Sequence, residues 1–335
     1  MAKKPLIIIA IFTCFLSLGI FAAEAVPAVD QINQTLTSEY MKYKNVSGGK
    51  NADYIPELAK VDPKLFGIVI MTVDGKMYSI GNSDVPFAIE SVSKPFIYAL
   101  ALQDNGEELM TEKVGLNATG HEFNSIKALD DHPNHLQNPL VNAGAILMTS
   151  LIKGDDSANK WERALTFFKK LSDDKVFFGN AVYQSEMATN QRNQAIAQLL
   201  SSYGLLTGDV HDAVDRYTKA CSIMVTAKEL AIMGATLANN GVNPITHQQV
   251  ISPHYVRDVL SQMTISGMYE NSGAWWFTVG LPAKSGVSGD IVAVVPGKMA
   301  IVVFSPPVDA SGNSVRGQEV LTDISKQWKL HLLGE

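Results

Sequence analysis

The sequence predicts an α/β protein of the α+β type, in which an antiparallel sheet is flanked by helices and a helical subdomain is inserted. Two β-rich runs, 66–72 and 76–80, are separated by an Asp-Gly pair, which is typical of a β-hairpin. Two short apolar runs, 291–295 and 299–304, are joined by Pro-Gly, which favours an antiparallel connection. The residues between these pairs, 105–260, read as mostly helical. One sheet therefore draws its strands from both ends of the chain.

The remaining elements follow the same periodicities. We expect an amphipathic helix over 26–46, a helix over 186–203 with Gly204 as its cap, and a final helix over about 315–333. The apolar segment 275–280 is expected to be a further strand of the sheet.

Residues 1–25 have the pattern of a secretory signal peptide. Lys3 and Lys4 precede an apolar run, and the small residues of 22–25 offer a cleavage site. The run is short for a spanning helix, so we expect cleavage, a periplasmic or secreted location and no stable membrane contact afterwards. The rest, 26–335, shows no linker and is expected to be a single domain. Its sheet part would comprise about 26–100 and 265–335, and its helical subdomain about 105–260.

Composition narrows the choice of partners. The 335 residues are 46% hydrophobic and carry a net charge of −6 without basic clusters, so we expect no nucleic-acid partner and favour a small molecule. Cys221 is the one cysteine beyond residue 25, so no internal disulfide is expected there. His132 and His135 lie beside a proline with no supporting ligands, so we expect neither a metal nor a cofactor.

A Ser-x-x-Lys motif, Ser91 to Lys94, precedes an uninterrupted apolar stretch. The spacing places an amine one helical turn from a hydroxyl, where the amine can take the hydroxyl proton and activate the serine as a nucleophile. Four other Ser-x-x-Lys pairs lie in polar or glycine-rich segments, so the motif alone is weak. A Lys-Ser-Gly tripeptide, 284–286, belongs to the same class of serine acyl-transfer enzyme.

Longer strings carry a more specific signal. They are Asn138-Pro139-Leu140-Val141-Asn142-Ala143-Gly144-Ala145-Ile146, Ser185-Glu186 with Arg192-Asn193, Tyr217 with Cys221-Ser222, Gly267-Met268-Tyr269 with Ser272-Gly273, and Pro282-Ala283-Lys284-Ser285-Gly286-Val287. With the Ser91 motif, they resemble the bacterial glutaminase family, whose fold is of the β-lactamase/DD-peptidase-like type. The resemblance covers about 54–317. It implies hydrolysis of L-glutamine to L-glutamate and ammonia, and a homo-oligomer, a dimer or tetramer.

The resemblance also implies the roles of individual residues. Ser91 would be the nucleophile, and Lys94 and Tyr269 would carry protons, without an assignment of which is the base. Backbone N–H groups of Ser91 and Val287 would form the oxyanion hole. The amino-acid end of the substrate would be held by Tyr54, Asn142, Glu186, Asn193 and Tyr217. One carboxylate and several amide or phenol groups suit a zwitterionic ligand.

The chain departs from the family pattern at a few positions. Glu90 stands where the family usually has Gln, and a carboxylate there is expected to raise the pKa of Lys94 and slow the activation of Ser91. Ser266 replaces a common Cys and Ser288 a common Gly, and both changes are expected to be mild. The export signal is the larger departure, because bacterial relatives of this kind are usually cytosolic.

Two other functions fit parts of the sequence. An exported penicillin-binding protein or β-lactamase-like serine hydrolase would also combine a signal peptide with Ser-x-x-Lys and Lys-Ser-Gly, but it leaves Asn142, Glu186 and Asn193 without a role. A non-catalytic glutamine-binding or cell-wall-binding module on the same scaffold would bind without turnover.

Overall fold

The computed structural model describes residues 26–334, and the signal-peptide prediction for 1–25 lies outside them. The strands are β1 Gly67–Thr72, β2 Met77–Gly81, β3 Phe87–Ala88, β4 Phe177–Phe178, β5 Ile223–Val225, β6 Ala283–Gly286, β7 Asp290–Val295 and β8 Met299–Phe304. The helices are α1 Val29–Tyr43, α2 Pro56–Ala59, α3 Ser93–Lys113, α4 Lys127–Asp131, α5 Asn142–Ser150, α6 Ser157–Leu171, α7 Asn180–Met187, α8 Gln191–Ser202, α9 Val210–Cys221, α10 Ala227–Ala238, α11 Pro253–Ser266, α12 Ser272–Thr278 and α13 Val315–Gln327. Two 3-10 turns span Glu90–Val92 and Tyr269–Asn271.

A five-stranded antiparallel sheet forms the centre, in the order β2-β1-β8-β7-β6. Its strands come from both ends of the chain, and the predicted hairpin and the predicted pair of C-terminal strands are both present. The fold class expected from the sequence is confirmed. The smaller sheet β3-β5-β4, which the sequence analysis missed, has strands of only two or three residues, too short for any periodicity to show.

The central sheet is buried on both faces. Side chains alternate along a strand, so β1 directs Val69 and Met71 into the core shared with the helical part, and Ile68 and Ile70 into the core beneath α1 and α13. Helix α10 lies directly on the first of these faces. Its Gly234 permits this approach, because a Cβ there would lie 2.6 Å from a Val292 methyl.

Three predictions about individual elements are wrong. Residues 275–278 belong to α12 rather than to a strand, and Val279 caps this helix; the buried Trp275 and Val279 follow helical spacing. The helix expected over 186–203 is divided between α7 and α8, and the Thr189 hydroxyl at the break donates to the Ser185 carbonyl. The final helix ends at Gln327, because Lys329 adopts a left-handed backbone conformation.

Close packing of α11 against β6 gives a test of the fold. A Cβ on Gly267 would lie 1.7 Å from the Ala283 carbonyl oxygen, whereas a Cβ on Gly273, six residues later, meets no atom within 4 Å. We expect Gly267→Ala to lower the free energy of unfolding by about 2 kcal/mol or more, because backbone must move. Gly273→Ala should change it by no more than about 1 kcal/mol, in the stabilising direction. Urea unfolding of both variants measures this, and equal effects would contradict the packing described.

Candidate active site

Ser91 and Lys94 lie where a 3-10 turn leads into α3. Glu90, the first residue of the turn, has a φ of 47°, and Ser93 Oγ donates to its carbonyl oxygen at 2.7 Å. Lys94 follows in the first turn of α3, and its Nζ donates to Ser91 Oγ at 3.0 Å. Both side chains are buried. The pair that the sequence singled out is therefore in direct contact.

The surroundings of Lys94 favour an uncharged amine. Its Nζ also donates to Asn142 Oδ1 at 2.7 Å, a neutral acceptor, and lies 5.7 Å from the centre of the Phe123 ring. Burial lowers the pKa of Lys94 to about 8, and this effect exceeds the opposing influence of Cys221, Glu90 and Glu186. Glu90 does raise the pKa of Lys94, as expected from the sequence, but burial outweighs this effect and the pKa is lowered overall. An amine of this kind can accept a proton near neutral pH.

The side chain of Asn142 contacts three other predicted site residues, Lys94, Tyr217 and Asn193. It is the first residue of α5, and its Oδ1 accepts a hydrogen bond from the Tyr217 hydroxyl at 3.1 Å as well as that from Lys94. Its Nδ2 donates to Asn193 Oδ1 at 2.9 Å. Helices α3, α5, α8 and α9 thus meet at one amide. Side chains that are far apart in sequence are held at one point.

Tyr269 approaches Ser91 from the other side. It opens a 3-10 turn with a φ of 54°, and its side chain faces Ser91 and Ser285. The buried hydroxyl of Tyr269 makes no hydrogen bond of normal geometry, so it is free to bind a ligand. Burial raises the pKa of Tyr269 well above its usual range, so the phenol is protonated. The Phe123 ring lies 4.7 Å from the Tyr269 ring.

Strand β6 packs against the turn that carries Ser91, and Val287 directly follows this strand. Val287 is buried in a cluster with Tyr269. Lys284 Nζ donates to the Ser285 carbonyl at 2.7 Å and lies 4.1 Å from the centre of the Tyr269 ring. Burial lowers the pKa of Lys284 well below its usual range. This lysine therefore acts as a neutral support for Tyr269 and not as a surface charge.

Glu186 lies at the end of α7, on a different helix from Asn193. Ser222 Oγ donates to Glu186 Oε1 at 3.3 Å, and burial raises the pKa of Glu186 to about 7. Tyr54 is 56% exposed and interacts electrostatically with Glu186 and Glu90. Glu186 and Asn193 lie on separate helices, α7 and α8, and both reach the Lys94 region.

Among residues 26–334, two groups of side chains have the spacing of metal ligands. The donor atoms of Glu90, Glu186 and Cys221 all lie within 4.8 Å of one another and are buried. The second group, Glu107 with His254 and Asp258, is on the surface, where Arg257 already pairs with both carboxylates.

The structure brings Ser91, Lys94, Tyr269, Asn142, Asn193, Tyr217 and Glu186 together, with Val287 and Tyr54 beside them. The sequence analysis missed Phe123, which contacts both Lys94 and Tyr269, and it gave no role to Ser222. Phe123 lies in an irregular loop where no periodic pattern identifies an inward side chain. Ser222 could have been noticed, since it directly follows the α9 residues that reach the site.

The fold and the buried Ser-Lys pair define a protein of the β-lactamase-like class. Within this class the chain belongs to the glutaminase family, because the family model described as Glutaminase matches residues 49–333.

Known proteins agree with this assignment. The chain is 47% identical over 293 residues to a glutaminase of Trichormus variabilis, covering 88% of this chain and 87% of the relative. It is 46% identical to a glutaminase of Colwellia psychrerythraea, covering 91% and 97%. A solved structure titled probable glutaminase ybaS superposes with a TM-score of 0.89 at 46% identity, covering 90% of this chain and 98% of that one.

A second solved structure, titled Mglu in its glutamate form, superposes with a TM-score of 0.85 at 38% identity, covering 90% of this chain and 70% of that one. These comparisons do not favour the alternative of a penicillin-binding protein or β-lactamase.

Proposed function

We propose that this protein hydrolyses L-glutamine to L-glutamate and ammonia through a glutamyl ester on Ser91. The contact of 3.0 Å between Lys94 Nζ and Ser91 Oγ, in a site where burial favours the neutral amine, carries the proposal. Family membership supports the choice of substrate. A serine hydroxyl attacks an amide only when a nearby base takes its proton, and this contact provides one.

In the first half of the reaction, Ser91 Oγ attacks the side-chain carbonyl carbon of glutamine and gives up its proton to a neighbouring side chain. Lys94 and Tyr269 are the two groups placed to carry protons, and both face Ser91. The backbone N–H groups of Ser91 and Val287 stabilise the oxyanion. The C–N bond then breaks, ammonia leaves with the transferred proton, and the glutamyl ester remains.

In the second half, water attacks the ester carbonyl and loses a proton to the same carriers, so that glutamate leaves and Ser91 is restored. The amino-acid end of the substrate stays in place throughout. Glu186 is suited to the α-ammonium, and donors on Asn193, Tyr217 and Tyr54 are suited to the α-carboxylate. The reaction written in this way uses only side chains and backbone, without a metal or organic cofactor.

We also infer that the mature protein is exported and assembles as a dimer or tetramer. Lys3, Lys4 and the small-residue site at 22–25 support export. Within residues 26–334, no helix has the length and hydrophobicity needed to cross a bilayer. Membership of the glutaminase family supports the expectation of self-association.

The first prediction concerns Ser91. We expect Ser91→Ala to reduce kcat for ammonia release from L-glutamine by about three orders of magnitude or more, because no ester can form. Ser150→Ala is the matched control, since Ser150 and Lys153 have the same Ser-x-x-Lys spacing but the Ser150 hydroxyl donates to the Leu147 carbonyl. This control should retain normal turnover. Retained activity in the Ser91 variant would reject the nucleophile.

The second prediction concerns the protonation of Lys94. With its pKa at about 8, the neutral amine is depleted as pH falls, so kcat should rise with pH and level off above about 8. Asn142→Asp places a carboxylate where Lys94 Nζ has a neutral partner at 2.7 Å. It should raise the pKa of Lys94 by about 1 to 3 units, shift this limb to higher pH and lower kcat at pH 7 accordingly.

Asn193→Asp is the control for this experiment. It adds the same charge to a side chain that contacts Asn142 instead of Lys94. We expect it to raise KM by repelling the substrate carboxylate and to leave the limb of kcat in place. A limb that does not move in Asn142→Asp would exclude Lys94 as the base.

The third prediction concerns export and assembly, which one preparation can test. When the full chain is expressed in a Gram-negative host, the periplasmic or culture fraction should yield protein whose N-terminus lies after residue 23 or 25. Its mass by light scattering should be about two or four times that of one chain. An uncleaved chain confined to the cytoplasm would reject export, and a single-chain mass would reject the oligomer.

A further inference from the structure

Two buried carboxyl groups lie against each other beside Ser91. Glu90 comes from the 3-10 turn before α3 and Glu186 from the end of α7, and they are 3% and 8% exposed. A carboxyl oxygen of each lies within 4.8 Å of the other, and Cys221 Sγ lies within 4.8 Å of both. Two buried carboxylates at this distance repel each other, which favours a proton on one of them.

The backbone at Glu90 fixes this arrangement. Its φ of 47° is uncommon for a residue with a Cβ and is maintained by the surrounding hydrogen bonds. Ser93 Oγ donates to the Glu90 carbonyl at 2.7 Å, and the Ile89 N–H donates to the Ile223 carbonyl at 2.8 Å. The segment is tied at both ends, so the side chain is held inward. One Glu90 oxygen, Oε1, is buried without a partner, as expected for an acid that is not ionised.

The charges around the pair do not compensate two carboxylates. Lys94 of α3 is a cationic group that lowers the pKa of both carboxyls, but its own pKa is lowered by burial. Other titratable groups near the pair are Asp290 of β7, Lys284 of β6, Tyr217 and Cys221 of α9, and Tyr54 of the preceding loop. Helices α2 and α9, which pack on α7, also carry the ion pairs Lys60–Glu57 and Lys219–Asp215, whose charges compensate each other. Asp290 adds to the negative side, and the amine of Lys284 is driven to its neutral form by burial. A doubly ionised pair would be buried without sufficient counter-charge.

We propose that Glu90 is a positioning residue: a protonated carboxylic acid that donates a hydrogen bond to the Glu186 carboxylate, so that the pair carries one negative charge and presents it to the α-ammonium of the substrate. This inference rests on the proposed function, in which Glu186 binds that ammonium. Glu90 acts through Glu186 and contacts no reacting atom.

The two carboxyls divide the proton unequally. Burial raises the pKa of Glu90 well above its usual range, and the nearby Glu186 and Asp290 raise it further. Burial also raises the pKa of Glu186, but hydrogen bonds from Ser222 and Glu90 hold the value to about 7. Below pH 7 both groups are neutral and the ammonium is poorly held, whereas above pH 7 Glu186 is ionised. KM should therefore fall as pH rises through about 7, while kcat follows Lys94.

The test is to measure kcat and KM for L-glutamine from about pH 6 to pH 9 in wild type, Glu90→Gln and Glu90→Ala. Gln can still donate to Glu186, so Glu90→Gln should keep KM within about threefold and leave both pH limbs in place. Ala cannot donate, so KM at pH 7 should rise about tenfold and its limb should move to higher pH, with kcat changing far less. Glu162→Gln, which removes an exposed carboxylate on α6, controls for the loss of one acidic residue.

An ionised Glu90 gives the opposite result. Its replacement by Gln would then remove a negative charge beside Lys94 and Glu186, and both limbs would shift to lower pH by about one unit. That shift, or a KM in Glu90→Gln as high as in Glu90→Ala, would overturn the proposal. Inactive wild-type protein would instead reject the proposed function.

Infrared spectroscopy provides a readout that needs no turnover and no alanine variant. At pH 8 wild type should show the carbonyl band of a protonated carboxylic acid that Glu90→Gln lacks. The wild-type minus Glu90→Gln difference spectrum should therefore contain this band. Asp290, which is also expected to be protonated, is unchanged between the two proteins and cancels. Absence of this difference band would contradict a protonated Glu90.

Discussion

The site depends on the burial of the Lys94 amine against a neutral partner. An ammonium that is removed from water requires either a carboxylate or the loss of its proton. Here the shortest contact of Nζ is with an amide oxygen, that of Asn142, and not with a carboxylate. The lowered pKa follows from this choice. A carboxylate at the same place would favour the charged form of Lys94, which cannot accept a proton.

The orientation of Asn142 is in turn fixed by its neighbours. An amide can present either its oxygen or its nitrogen, and the wrong choice would place two donors face to face. Tyr217 donates to Oδ1, and Asn193 Oδ1 accepts from Nδ2. These contacts come from α9 and α8, which pack on α5 as part of the larger core. Packing of the helical part thereby determines which atom of Asn142 faces Lys94, and so the protonation of this lysine.

The sequence predicts these features unevenly. The sheet and most helices follow from hydrophobic periodicity, because their buried faces repeat every two or 3.6 residues. The error at Trp275 shows the limit of this approach, since a short aromatic segment has high strand propensity and only its packing reveals the helix. The site residues came from motif resemblance. The residues that contact them could not be predicted in this way, because contacts such as that of Phe123 with Tyr269 join distant segments that no sequence pattern connects.

Glu90 illustrates why a residue type alone does not define a charge. From the sequence, an acid beside the nucleophile suggests a carboxylate that holds Lys94 in its charged form. In the structure the same side chain faces a second acid in a site without enough cations, and the low dielectric that lowers the pKa of Lys94 raises that of Glu90. Burial thus drives both groups towards neutrality, and neither has to compensate the other. The acid is compatible with an active lysine because the two share one environment and not because they form an ion pair.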